Sequence, residues 1–162
     1  MDFIYEDDTL IKYTGNAESV IIPDCVKTIG KSAFHCNETM KSVTIPDGVT
    51  KIGAGAFWFC DSLKKVEIPS GVKSIEMTAF GGCIKLNEVR LPDGLQKIGD
   101  MAFLECYTLY LINIPTSVME IGEAVFEKCV NILIVVDKGS YGEEYVKANK
   151  LNYIYREEFE EL

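Results

Sequence analysis

The sequence predicts an α/β solenoid: a curved superhelix dominated by β-strands, with short helical or 3₁₀ corners and a C-terminal capping helix. Three observations predict it. The five prolines of the chain recur every 23 residues, at positions 23, 46, 69, 92 and 115. Apolar residues recur with the same period, and a Pro-Asp-Gly or Pro-Ser-Gly turn follows at 46–48, 69–71 and 92–94. A fixed period of about 20–50 residues marks stacked units that bury one continuous core.

The first 22 residues predict an N-terminal cap. They carry apolar residues such as Phe3, Leu10 and Tyr13 without the full repeat motif. The ends of an open solenoid differ from its middle, because the terminal rungs have no neighbour on one side. Residues 23–136 then hold five repeats, and residues 137–162 form a C-terminal cap with an acidic tail. All three segments belong to one domain.

Each repeat predicts two strands separated by a turn. The stretch 63–68 alternates apolar and polar residues at its end, as a half-buried strand does. Pro69 ends this strand, because proline has no N–H to donate to a ladder. The Pro-Ser-Gly turn follows, and a second short strand is expected over residues 72–75.

The Ala-Phe-x-x-Cys segment of each repeat predicts a corner whose alanine, phenylalanine and cysteine face the core. The phenylalanines form one column: Phe34, Phe57, Phe80, Phe103 and Phe126. Five cysteines are expected to form an inward ladder of free thiols: Cys36, Cys60, Cys83, Cys106 and Cys129. Cys36 comes one residue early and an extra residue follows it. A linear ladder does not converge on one point, so no metal site is predicted.

Cys25 differs from the other cysteines because it replaces the glycine of the turn after Pro23. It is expected to be exposed, as a tolerated turn residue or as a reactive or intermolecular thiol.

The C-terminal segment predicts a helix and a last strand. Ser140-Tyr-Gly-Glu143 matches a capping box, which opens a helix that runs to about Asn149. Residues 151–155 then predict a strand, and the acidic tail that begins at Arg156 is expected to fray.

Charge and motifs exclude several function classes. The net charge of -9 argues against nucleic acid as a partner, and no run reaches the ~20 apolar residues of a membrane span. The acidic N-terminus does not match a signal peptide, which favours the cytoplasm if Met1 is the native start. The single histidine, His35, has no fixed catalytic partner, and no catalytic, phosphate-binding or zinc motif is present. We therefore expect a protein without catalytic residues or cofactors.

These motifs resemble the BspA-like subclass of leucine-rich repeats over about residues 20–136. The resemblance lies in the Ile-Pro, Val-x-x-Ile-Gly, Ala-Phe-x-x-Cys and Leu-x-x-Val-x-Ile pieces. It implies a leucine-rich-repeat solenoid whose concave sheet is lined by the 63–68 strand and its equivalents. Members of that family are often bacterial or protozoan surface proteins that bind host matrix proteins or aid adhesion. The resemblance therefore favours a cell surface if the chain is a fragment.

The period predicts two outward columns on the concave sheet. One is Ser19, Ser42, Lys65, Glu88, Leu111 and Ile134; the other is Ile21, Thr44, Glu67, Arg90, Asn113 and Val136. The candidate partner-binding residues are Lys65, Glu67, Glu88, Arg90, Tyr110, Leu111 and Asn113. In the alternative interpretation the opposed charges only pair along a solvated sheet, Lys65 with Glu88 and Glu67 with Arg90. Leu133 and Ile134 flank this patch or pack under the cap.

Trp58 and Phe59 are expected on an outside corner of the coil. They form either an exposed aromatic patch for contact or self-association, or a pair of rings folded over the glycines of the next rung. The function predicted from all these observations is a non-enzymatic, adhesion-like scaffold that binds a protein, or less readily a glycan, on its concave sheet. The alternative is a structural or weakly self-associating module without a different partner.

Overall fold

Two sheets run along the solenoid, and each rung contributes one strand to both. The computed structural model describes residues 2–162; Met1, the first residue of the predicted N-terminal cap, lies outside this part. The first sheet contains, in spatial order, β1 (Phe3–Glu6), β2 (Thr9–Tyr13), β4 (Thr28–Ile29), β6 (Lys51–Ile52), β8 (Ser74–Ile75), β10 (Lys97–Ile98) and β12 (Glu120–Ile121). Only β1 and β2 pair antiparallel in this sheet.

The second sheet is parallel throughout. It contains, in spatial order, β3 (Ser19–Ile21), β5 (Ser42–Thr44), β7 (Lys65–Glu67), β9 (Glu88–Arg90), β11 (Leu111–Asn113), β13 (Leu133–Val136) and β14 (Tyr153–Tyr155). The described residues also form two helices, α1 (Tyr141–Ala148) and α2 (Arg156–Glu160). Because the resemblance assigns strands β5 to β11 to the concave side, we call this second sheet the concave sheet. The predicted solenoid and its capping helix are confirmed.

A column of aromatic rings runs through the core. Neighbouring rings from Phe34 to Phe126 are nearly parallel, and their centroid distances rise along the chain from 4.9 to 5.1, 5.4 and 5.9 Å. The ring of Tyr13 continues the column at the N-terminal end, 5.3 Å from Phe34. At the other end Tyr145 of α1 meets Phe126 edge-on at 6.3 Å. We call this set the ring column; it links all rungs and both ends.

The corners consist of successive 3₁₀-type turns and not of a continuous helix. In the corner around Phe57, the N–H of Trp58 donates to the carbonyl of Gly55 and the N–H of Cys60 to that of Phe57. Residues with positive φ interrupt each corner twice, which prevents a regular helix. One column of them is Ser32, Gly55, Thr78, Met101 and Ala124, and the other is Cys36, Phe59, Gly82, Glu105 and Lys128.

The cysteine ladder has four members and not the predicted five. Cys60, Cys83, Cys106 and Cys129 are buried, and each thiol donates at 3.2 Å to a phenylalanine carbonyl of the preceding rung. The prediction for Cys36 was wrong, because this residue is exposed and occupies the positive-φ slot. Asn37 takes the cysteine slot, where its Oδ1 accepts from the N–H of Met40 at 2.9 Å. The repeat length is therefore unchanged without an inserted residue.

The register of the concave sheet confirms the predicted columns from β3 to β11 but not at β13. There Leu111 pairs with Leu133 and Ile112 with Ile134, a separation of one residue less than in the other rungs. The prediction that Ile134 and Val136 face outward was wrong, since both are fully buried. A single residue lies between the inward residues Ile132 and Ile134, whereas two residues lie between their equivalents in the other repeats. A position that faces outward in the other repeats therefore faces the core here.

The N-terminal segment contains a hairpin and a first rung. β1 folds back on β2, and β2 and β3 supply one strand to each sheet. Leu10 pairs with Ile29 of the next rung. These two residues are 19 positions apart, whereas Ile29 and its partner in the following strand are 23 apart. The first turn of the coil is therefore shorter than the others, and Tyr13 takes the place of a phenylalanine in the ring column.

The C-terminal end follows the predicted order of helix and strand. Ser140 caps α1 by accepting from the N–H of Glu143 at 3.1 Å, and β14 pairs with β13. The expectation of a frayed tail was wrong for residues 156–160, which form α2. Arg156 anchors this helix, because its Nε and Nη2 donate to the two carboxylate oxygens of Asp137 at 2.9 and 3.1 Å.

Candidate binding site on the concave sheet

A groove of about 820 Å³ lies on the outward face of the concave sheet. We call it the central groove. It is lined by Lys64, Lys65, Val66, Glu67, Ile68, Ser70, Asn87, Glu88, Arg90, Leu91, Pro92, Asp93, Tyr110, Asn113 and Arg156. Six of the seven candidate partner-binding residues are in this set. The seventh, Leu111, is half-buried beside Glu88 in the sheet and does not line the groove.

Strand alternation places the charged side chains of the groove. Successive side chains of a strand point to opposite faces, and Val66 and Val89 fill the core. Their neighbours therefore face outward, and the register sets Lys65 beside Glu88 and Glu67 beside Arg90. The four side chains alternate in sign along the strands and across them.

The ion pair of this patch lies within one strand and not across two rungs. Lys65 Nζ is 2.7 Å from Glu67 Oε1. The Glu67 carboxylate, and more weakly that of Glu88, raises the pKa of Lys65, while the Lys65 ammonium lowers the pKa of Glu67. Because both side chains are largely exposed, this pair contributes little to stability.

Two cations of the groove have no carboxylate partner in the part of the chain that the structure describes. Within residues 2–162, Lys64 and Arg90 form no ion pair at 4.0 Å or less. Tyr110 lines the same groove; it is 52% exposed, and its hydroxyl donates to Glu88 Oε2 at 3.4 Å. Among the described residues, the groove thus combines two cations that have no ion pair with an exposed aromatic ring.

Asn113 has a structural task as well as a place in the groove. Its Oδ1 accepts from the N–H of Leu91 at 2.8 Å, and its Nδ2 donates to the carbonyl of Leu91 at 2.9 Å. The side-chain amide of Asn113 therefore makes the two hydrogen bonds to the Leu91 backbone that the backbone of a neighbouring strand would otherwise make.

Arg156 is a groove residue that sequence reasoning missed. The sequence places it in an acidic tail, and only its position as the first and sole basic residue of that tail marks it. Asp137 holds its guanidinium and raises its pKa. Lys64, Asn87 and Asp93 were also missed, since they lie just outside the alternating part of each strand.

A second exposed feature is the aromatic corner, which we define as His35, Trp58 and Phe59. The Trp58 and Phe59 rings stack at 5.0 Å, and the His35 ring lies 5.3 Å from Trp58. Phe59 lies against Gly82, and Trp58 Cδ1 approaches Gly81. Both alternatives from the sequence describe part of this arrangement, because the rings cover the glycines and yet remain 36% and 39% exposed.

Cys25 is exposed near Tyr5, as is Cys36 beside His35. Across residues 2–162, no three His, Cys, Asp or Glu side chains are grouped so that they could hold a metal ion. No helix in the same part of the chain has the length and apolar character needed to cross a membrane.

Comparison with protein families gives one match. The family described as "BspA type Leucine rich repeat region" matches residues 7–133 in six copies. The matched region begins inside the predicted N-terminal cap, where β2 and β3 form the first rung. No curated protein matches the chain.

Several solved structures of bacterial leucine-rich repeat proteins are similar to this chain. A leucine rich cell surface protein from Faecalibacterium prausnitzii is 34% identical over 85% of this chain and 37% of its own, with a TM-score of 0.78. A leucine rich repeat protein from T. pallidum is 30% identical over 78% of this chain and 62% of its own (TM-score 0.77). A leucine-rich repeat protein from Bacteroides ovatus is 33% identical over 80% and 35% (TM-score 0.70). The chain spans less than two thirds of each of them.

Proposed function

The chain belongs to the BspA-type leucine-rich repeat family, and from that membership we propose that it is a non-catalytic scaffold whose concave sheet binds another protein. Repeats of this family typically serve in protein binding and in surface proteins, and are generally not enzymes. The similarity to a cell surface protein of Faecalibacterium prausnitzii supports an adhesion-like role.

The observation that carries this proposal is the central groove itself. Five of the residues that the repeat period marks as outward-facing line it: Lys65, Glu67, Glu88, Arg90 and Asn113. A protein interface combines apolar contact with a charged or polar rim. Here Tyr110 provides exposed apolar surface, and Lys65, Glu67 and Arg90 provide the charged rim.

The proposal is tested by capture with matched charge variants. The wild type, a Lys65→Glu/Arg90→Glu double variant and a Lys12→Glu/Lys31→Glu control are immobilised and exposed to cell extracts and to extracellular-matrix preparations. Lys12 and Lys31 are exposed outside the groove, so the control carries the same change in net charge. Each captured protein is identified, and its affinity for all three chains is measured.

A protein held by the wild type and the control but lost by the groove variant supports the proposal. Equal affinity for all three chains contradicts the groove assignment. Capture of no saturable partner by any chain contradicts protein binding as the function.

The aromatic corner favours a second candidate function, self-association. Exposed stacked aromatic rings are enriched at protein contacts, and Trp58 and Phe59 provide such a surface. A homomeric module predicts dimers or larger species whose population rises with concentration and falls in Trp58→Ser, measured by analytical ultracentrifugation. A strictly monomeric wild type contradicts this second candidate.

A further inference from the structure

We infer that the partner presents a short, extended acidic segment to the central groove, with its carboxylates facing Arg90 and Lys64. This inference rests on the proposed function, because it names the chemistry of the partner for the same groove. Three properties of the groove carry it: its charge balance, the pairing of its charges and its length.

The balance of charge reverses inside the groove. The chain as a whole has 16 basic and 25 acidic residues. The groove is lined by four basic residues, Lys64, Lys65, Arg90 and Arg156, and by three acidic ones, Glu67, Glu88 and Asp93. The lining thus carries one more basic than acidic residue, whereas the chain as a whole carries nine more acidic than basic residues. A local excess of basic residues favours the approach of an acidic segment.

The acidic residues of the groove already have favourable neighbours. Glu67 pairs with Lys65. Glu88 accepts from the Tyr110 hydroxyl and lies close enough to Lys65 to raise the pKa of the Lys65 ammonium. Asp93 similarly contributes to the raised pKa of Arg156.

Two of the basic residues, in contrast, have no carboxylate within 4.0 Å among residues 2–162: Lys64 and Arg90. A bound carboxylate would supply that missing partner. An arginine can form two parallel hydrogen bonds to a carboxylate, which makes Arg90 the more directional of the two.

The length of the groove suits a few residues of extended chain. It begins at β7 and ends at Arg156, which is held by Asp137 just after β13. Three strand spacings of ~4.8 Å give about 14 Å, or about four residues of extended chain. Arg156 closes the C-terminal end of this path, and its Nη1 is not engaged by Asp137.

Peptide binding tests the inference with defined probes. Three fluorescein-labelled Gly/Ser peptides of equal length carry Glu, Gln or Lys at the same positions, and fluorescence anisotropy measures their affinities. The Glu peptide is expected to bind at least about tenfold more tightly than the Gln peptide, and more weakly as ionic strength rises. Arg90→Gln and Lys64→Gln are each expected to weaken it by about fivefold or more, whereas Arg90→Lys restores part of the loss and Lys31→Gln has no effect.

The outcomes separate this inference from the proposed function. If the Gln or Lys peptide binds as tightly as the Glu peptide, or if none binds while groove-dependent capture of a protein persists, the acidic segment is wrong and the groove function stands. If the Glu peptide binds equally well to Arg90→Gln and Lys64→Gln, its site lies elsewhere and the inference fails. If the wild type captures no protein in a groove-dependent way in the capture experiment, the proposed function itself is contradicted.

Discussion

Phe80 stands at the middle of the ring column, between Phe57 at 5.1 Å and Phe103 at 5.4 Å, and it is fully buried. We predict that Phe80→Ala lowers the free energy of unfolding by about 3–5 kcal/mol, because it removes buried apolar surface and leaves a cavity between rigid rungs. Urea denaturation followed by circular dichroism measures the change.

Tyr107→Ala is the control for this substitution, since the Tyr107 side chain is 44% exposed. Its effect should stay within about 0.5 kcal/mol. A loss below ~1 kcal/mol for Phe80→Ala would show that the column does not support the core.

Thr78 shows strain at a single residue. It is β-branched and has a φ of +53°, a conformation that disfavours side chains with a Cβ. We predict that Thr78→Gly leaves the protein equally stable or stabilises it by up to about 1 kcal/mol, because the relief of strain exceeds the added chain entropy of glycine. Thermal and urea unfolding measure this change.

The matched substitution Thr44→Gly lies in the regular strand β5 and should instead destabilise the protein by about 1 kcal/mol. Equal destabilisation by both substitutions would contradict the strain at Thr78.

Single residues mark the limit of what the repeat pattern predicts. The columns of apolar residues follow directly from the period, and burial confirms them from Val26 to Val118. Cys36 was misplaced because the pattern treats cysteine as the marker of its slot. The backbone conformation of the corner instead fixes which position belongs to the slot, and that position is Asn37. The side-chain amide of Asn37 makes hydrogen bonds there that a cysteine does not make.

Among the elements, the C-terminal cap carries a pH-sensitive contact. The Glu143 carboxylate accepts from Lys147 Nζ, from the Tyr155 hydroxyl and from the Gly139 N–H, each at 2.6 Å. These three bonds lower the pKa of Glu143 from 4.5 to about 2, and the contact with Glu143 raises the pKa of Tyr155 from 10.0 to about 12.

We predict that the cap weakens at both extremes of pH. A carboxyl whose pKa is lowered on folding stabilises the fold above pH 4.5, and this contribution is lost as pH falls towards about 2. A phenol whose pKa is raised stabilises it below pH 10.0, and that contribution is lost as pH rises through about 12. Hydrogen exchange of the α1 amides across pH measures both effects.

Glu143→Gln should remove the acid-side dependence, whereas Glu144→Gln, at an exposed position of the same helix, should keep it. An unchanged acid profile in Glu143→Gln would show that another group titrates in the cap.

Elements were predictable where they repeat and less so where the repeat ends. The helix α1 and the strand β14 carry local signals, a capping box and an apolar run. The register of β13 carries no such signal, because the missing residue between Ile132 and Ile134 is visible only when burial is known. The helix α2 is stabilised by a contact between Arg156 and Asp137, which are distant in sequence, so local composition suggested fraying.

At the scale of the whole molecule, the thiols report the integrity of the rungs. Cys25 and Cys36 are exposed, while four cysteines lie buried in four successive rungs. Burial raises the pKa of the Cys60 thiol to about 12 and of the Cys129 thiol to about 11, and that of Cys83 and Cys106 well above 9.0.

We predict that iodoacetamide labels two thiols of the native protein rapidly at neutral pH and the other four only after unfolding, because alkylation requires an accessible thiolate. Mass spectrometry of tryptic peptides identifies the labelled sites. In moderate urea Cys129 should react first among the four, since it lies nearest the C-terminal end and repeat arrays fray from their ends. Rapid native labelling of Cys83 or Cys106 would contradict the packed ladder.

The position of the groove was predictable from the whole molecule only in part. The outward columns on the sheet follow from the period and identified five of the fifteen lining residues. The closure of its C-terminal end by Arg156 depends on how the tail folds back. Among residues 2–162, Arg90 has no ion pair because Glu67 pairs with Lys65 of its own strand. The spacing of the repeats predicts neither of these contacts.

The concave strands from β3 to β11 keep one register, and the shift of a single residue is confined to β13. An additional unit placed between two of these strands would therefore leave the contacts of both ends intact. Each such unit would lengthen the outward row of side chains by one strand spacing of ~4.8 Å. The number of units thus acts as a ruler, which sets how long a stretch of a partner this surface can hold.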